Sequence, residues 1–187
     1  MLYPLCGFLN KLQKDTARLY EVLHCFGYTI KILGGHQNFE FGSRMITRIE
    51  SRWKEWEQPL LILSFALHLV YKLSKFRSSA RDLTWTHISQ WLKYYYEAWF
   101  GSRSRSILSE LVRYKRSEDP YDMDSFNQFN GNLVDFWDST NGIGPELARV
   151  AVRIYGICVN SASVERLWSS MGYLHTNRRN RLEVIFI

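Results

Sequence analysis

The sequence predicts a mainly α-helical protein, and three observations carry that prediction. Apolar residues recur at i, i+3, i+4 and i+7 in segment after segment, the period at which they line one side of a helix. The segments are punctuated by short polar caps, glycines and prolines where helices start and stop. No alternating apolar–polar run exceeds a few residues, so no strand is predicted, and no internal repeat is visible. The 187 residues suffice for one large domain or two small ones, and 46% of them are apolar. Seven Trp, eleven Tyr and eleven Phe make a disordered chain unexpected, because such chains are poor in large rings.

Residues 3–26 read as one helix, with Leu5, Phe8, Leu9, Leu12, Leu19, Val22, Leu23 and Phe26 at helical spacing, Pro4 in the first turn and Gly27 at the end. Residues 30–42, holding Gly34, Gly35 and Gly42, read as a loop. A second helix is expected from Ser43 to about Trp56 on Met45, Ile46, Ile49, Trp53 and Trp56. It carries the row Arg44, Arg48, Arg52, with Glu55 placed to pair with Arg52. Pro59 opens a third helix, Leu60 to Val70, apolar nearly all round and therefore expected to be central. The basic, serine-rich stretch 72–81 reads as a linker whose Lys72, Lys75, Arg77 and Arg81 form a patch able to meet phosphate. Thr86 is expected to cap a fourth helix to Phe100 on Ile88, Trp91, Leu92, Tyr95 and Trp99. Trp91, Tyr94, Tyr95, Tyr96 and Trp99 suggest base stacking, but core and interface packing is the better reading. A fifth helix, 102–115, should point Ile107, Leu108, Leu111 and Val112 inward.

The acidic stretch 117–124, with Pro120, breaks that helix and marks the expected domain boundary, giving domains 1–120 and 121–187. Residues 127–132 are turn-rich, and Phe136 and Trp137 follow. Pro145 stands at the favoured first position of a helix that carries Leu147, Val150, Ala151 and Ile154 on one side and ends at Gly156. A last helix is expected over 161–171. Asn160, Ser161 and Ser163 cap it, Val164, Leu167, Trp168 and Met171 form its apolar stripe, and Gly172 follows.

The net charge of +6 and pI near 9.3 suit an acidic partner, nucleic acid being the usual one, or simply a solvated basic surface. Cys6, Cys25 and Cys158 are odd in number and far apart, which argues against a disulfide framework and for a reducing compartment. No His/Cys spacing matches a metal site, and no phosphate-cradling glycine loop or redox motif appears. No cofactor or small-molecule substrate is therefore expected. The longest apolar run, 60–71, is too short to span a bilayer, and no signal peptide is apparent. A soluble, intracellular chain without a membrane partner is expected.

The order of elements in 160–182 is more specific than any one of them. Ser161, Ala162, Ser163, Glu165, Arg166, Trp168, Ser169, Gly172, Arg179, Asn180, Arg181 and Leu182 stand in the pattern of the C-terminal dimerisation region of hAT superfamily transposases, which this stretch resembles. Trp168 replaces the commoner Phe. Phe136-Trp137 matches a pair that precedes that region in the family. The run Arg52-Trp53 followed by Gln58-Pro59-Leu60 is similar to the end of the family's helical insertion domain.

The resemblance implies the tail of a helical insertion domain joined to the C-terminal helices of a ribonuclease H-like fold, in a nuclear, transposon-derived protein. It implies a homodimer whose interface includes Phe136, Trp137, Leu147, Val150, Ile154, Val164, Leu167, Trp168 and Met171. Large rings are the expected anchors of such a surface. It also places the family's catalytic glutamate at Glu165, one of three carboxylates that hold Mg²⁺ or Mn²⁺ in a complete transposase. The two upstream aspartates have no counterpart here, and one carboxylate does not hold two such ions. The chain alone is not expected to cleave DNA. A first-turn acid stabilised by the helix dipole is the plainer role for Glu165. Against the family pattern both ends look clipped. Protein dimerisation is thus the leading function. One alternative is a catalytic subunit lending Glu165 to a site completed elsewhere. The other is a non-specific DNA-binding module using Arg166, Arg178, Arg179 and Arg181, whose contacts would be salt-sensitive and sequence-blind.

Overall fold

The computed structural model describes residues 2–55, 58–76 and 83–159, and among them it is mainly α, with no strand. Residues Arg18–Ile157 form one compact unit. Before it, helix α1, Leu2–Leu12, holds Pro4 in its first turn and closes in turns such as Gln13 N–H to Leu9 O, 2.9 Å.

Within the unit, α2 (Leu19–Gly34) starts where Glu21 accepts the Arg18 backbone N–H at 2.9 Å. The Arg18 guanidinium donates to Tyr155 O at 2.6 Å, fastening this end to the last helix of the unit. Helix α3 (Phe39–Trp53) is capped by Asn38, whose Oδ1 accepts from Phe41 N at 2.9 Å. The α2–α3 crossing is tight at Gly42: a Cβ there would lie 2.4 Å from Leu33 O, so no other residue fits. Phe26 and Trp53 meet across the same crossing, ring centroids 5.2 Å apart.

Helix α4 (Gln58–Ala66) runs into the core, burying Leu61, Leu63, Ser64, Phe65 and Ala66. After the short 3₁₀ turn Leu73–Lys75, α5 (Trp85–Phe100) begins at Thr84, whose Oγ1 accepts from His87 N, and stops at Gly101. Helices α6 (Ile107–Arg116), α7 (Met123–Asn127), α8 (Leu133–Ser139) and α9 (Pro145–Tyr155) follow. Asp122 and Asn132 cap α7 and α8 through Ser125 N and Val134 N. Helix α9 packs on α4, α5, α6 and α8, so its stripe Leu147, Val150, Ala151 and Ile154 sits at the centre of the unit.

Several expected boundaries move. Residues 3–26 are two helices, broken by turns after Leu12, and α2 passes through Gly27 to Gly34 across part of the expected loop. Helix α3 starts four residues before Ser43, because Asn38 offers the cap. Thr84, not Thr86, caps α5. The expected domain boundary at 117–124 falls inside the Arg18–Ile157 unit, where α6 on one side packs on α9 from the other. Helix α6 is also rotated. Ile107, Glu110, Leu111 and Tyr114 are buried, while Leu108 and Val112 are 47% and 43% exposed. Lys72 is no free phosphate ligand: its ammonium donates to Tyr114 O at 2.9 Å and Ser117 Oγ at 2.7 Å, closing the C-terminal end of α6. Arg77 and Arg81 lie outside the described residues. The Arg52–Glu55 pair forms as expected, at 2.9 Å on the surface.

Candidate self-association region

The start of α6 and the start of α9 hold each other through a pair of buried acids. The Glu146 carboxylate, from the first turn of α9, accepts the backbone N–H groups of Arg105 (2.8 and 2.9 Å), Ser106 (2.8 Å) and Ile107 (2.8 Å). The Glu110 carboxylate, from the first turn of α6, accepts Leu147 N at 2.6 Å and the Ser106 hydroxyl at 2.5 Å. The first N–H groups of a helix have no partner within it, and its positive dipole end favours an anion. Here each helix supplies the other's. Burial raises the pKa of Glu146, but the three backbone donors and Ser106 outweigh it, and the net direction is down. An acid in each first turn was the available signal. Sequence alone pairs neither Glu146 nor Glu110 with a partner.

Around this clamp lies an aromatic core. Tyr114 sits 5.7 Å from Tyr121 and 5.4 Å from Trp137, centroid to centroid, and Trp137 is 5.5 Å from Phe136 in an edge-to-face arrangement. The Tyr114 hydroxyl donates to Ala66 O at 2.9 Å and that of Tyr155 to Ser64 O at 2.7 Å. Burial pushes both phenols well above their ordinary pKa, so both remain donors. Tyr121 is pushed up to about 12, first by burial and then by the Glu110 charge. Its hydroxyl and the Trp137 indole N–H are buried, and among the described residues neither has a hydrogen-bond partner. Gly144 accommodates that hydroxyl, since a Cβ there would lie 2.1 Å from it.

The residues expected at an interface divide in two. Phe136, Trp137, Leu147, Val150 and Ile154 come together, but each is at most 1% exposed within the single chain. They close the core of one copy and present no outward face. Val164, Leu167, Trp168 and Met171 lie outside the described residues, as do Glu165, Arg166, Arg178, Arg179 and Arg181. Between Ile107 and Val159 the exposed large apolar side chains are Leu108, Val112, Met123 and Ile143. Leu108 and Val112 stand one turn apart on the outer side of α6.

A two-metal centre needs several oxygen ligands per ion. Among the described residues no three His, Cys, Asp or Glu side chains converge, and the two buried carboxylates are spent on helix N–H groups. These donors do not fit such a centre. Among the described residues no helix is long and apolar enough to cross a membrane.

Neither a curated protein nor a solved structure matches the chain. A family model does: residues 110–184, from the end of the first turn of α6 through α9 and onward, match the hAT family C-terminal dimerisation region. That segment of the chain belongs to the hAT transposase dimerisation region.

Proposed function

We propose that this chain is a self-association module, the C-terminal part of a hAT-like transposase. The match of residues 110–184 to a dimerisation region carries the reading. Two-fold pairing is the commonest assembly of soluble chains. Because the large apolar residues of α8 and α9 close the core of one copy, the contact is assigned to the outer side of α6, Leu108 and Val112, and to the stripe Val164, Leu167, Trp168 and Met171. A stable interface takes about 800 Å² from each partner, more than two half-exposed side chains on α6 supply, so both parts are required. The same reading makes the segment the close of a ribonuclease H-like fold in a nuclear protein, with DNA and Mg²⁺ or Mn²⁺ engaged by the complete transposase.

Sedimentation velocity over a concentration series tests the proposal. The expected result is a species near twice the 22.2 kDa of one chain, lost in Trp168→Asp, which places an unpaired charge in the contact. A folded monomer persisting at high concentration overturns the reading.

A further inference from the structure

Helix α9 turns two arginines outward one turn apart, Arg149 and Arg153, and both lie against the end of α5. The Arg149 guanidinium carbon is 3.9 Å from the Phe100 ring centroid, and one of its nitrogens is 3.5 Å from the Tyr96 hydroxyl. The Arg153 guanidinium carbon is 5.3 Å from the Trp99 centroid and 6.0 Å from that of Phe100. Phe100 and the two arginines, with Ala148, Val152, Asn141 and Asp138, line a cleft of about 230 Å³. Among the described residues neither guanidinium is paired with a carboxylate, Asp138 included. Arginine near the C-terminal end of a helix is favoured by the dipole alone. That effect needs neither two guanidiniums nor a shared cleft.

We propose that Arg149 and Arg153 form a binding cleft for a phosphodiester group of a nucleic acid. A guanidinium stacked on a ring keeps its edge donors free, and its loss of side-chain freedom has already been met before the ligand arrives. Two such forks converging on one small space match the oxygens of a single phosphate bidentately. Asp138 also lines the cleft and offsets one of its two positive charges. The net charge of +6 adds long-range attraction for a polyanion.

The test is fluorescence anisotropy of a labelled 20-base-pair duplex of mixed sequence with the whole chain, from 50 to 200 mM salt. Arg149→Gln with Arg153→Gln is expected to weaken binding roughly tenfold and to make the slope of log affinity against log salt shallower by about one. Lys115→Gln with Arg116→Gln, an equal charge loss on exposed α6, is expected to keep the wild-type slope. Circular dichroism checks that both pairs fold as the wild type does. Absence of binding by the wild type, or an equal loss in the α6 pair, overturns the proposal. So does displacement by inorganic phosphate at the same concentration of phosphate groups, which would make the cleft a free-oxyanion site.

Discussion

Glu146 shows how far one side chain can govern local stability. Its carboxylate meets three backbone donors, and Glu146→Ala would leave them buried without a partner. The expected loss is about 2–4 kcal/mol of unfolding free energy, measured by denaturant titration. The folded pKa of Glu146 lies below the ordinary carboxyl value. Its contribution is therefore complete above about 4.5 and is lost as pH falls through the folded value. His68 acts in a different window. It is wedged between Tyr20 and Tyr71, at 4.7 and 4.1 Å, and burial pushes its pKa from 6.5 down to about 4. The folded state keeps it neutral while the unfolded chain takes up a proton. Stability should accordingly decline from pH 6.5 toward 4, by about 3 kcal/mol in all, and His68→Phe should flatten that limb. Tyr121 and Gly144 form a third test. Gly144→Ala drives a methyl into the Tyr121 hydroxyl and should cost about 2–4 kcal/mol. Adding Tyr121→Phe removes the obstructing oxygen, which has no partner to lose, and should recover most of that stability in a double-mutant cycle.

At the level of helices, punctuation is legible where it has one meaning. Pro145 and Gly156 bound α9 as expected, because proline at a helix start and glycine at its end act through the backbone alone. Glycine inside a helix is ambiguous in sequence. Gly27 reads in sequence as a stop, yet α2 continues through it and buries Leu33 a turn and a half further on. Gly42 was read as loop, but it is where two helices approach too closely for any side chain. The rotation of α6 has a related cause. The sequence reading points the apolar residues Ile107, Leu108, Leu111 and Val112 inward, and acids and tyrosines usually stay at the surface. Glu110 overrides that preference by capping α9, and Tyr114 by reaching Ala66 O, and both facts depend on helices distant in sequence.

For the molecule as a whole, the amphipathic pattern identified the right apolar residues but not what they face. A stripe such as Leu147–Ile154 looks the same whether it closes its own core or meets a second copy. Phe136, Trp137, Leu147, Val150 and Ile154 are buried within the single chain. Trp137→Ala should therefore unfold the single chain, at a cost of about 3–5 kcal/mol, instead of merely releasing a partner. Leu108→Asp with Val112→Asp should do the reverse, leaving the helical spectrum intact while shifting sedimentation toward the monomer. The ribonuclease H-like fold is implied by the resemblance and not by the amphipathic pattern, whereas nucleic-acid contact is also suggested by the net charge of +6.

The exchange of acids between α6 and α9 means that neither helix is complete without a stretch of chain more than thirty residues away. Severing the backbone at the exposed turn near Gly131 should yield two pieces that stay locked together, each carrying the plug for the other's open end. A product that kept only one of them would lose order in both places at once.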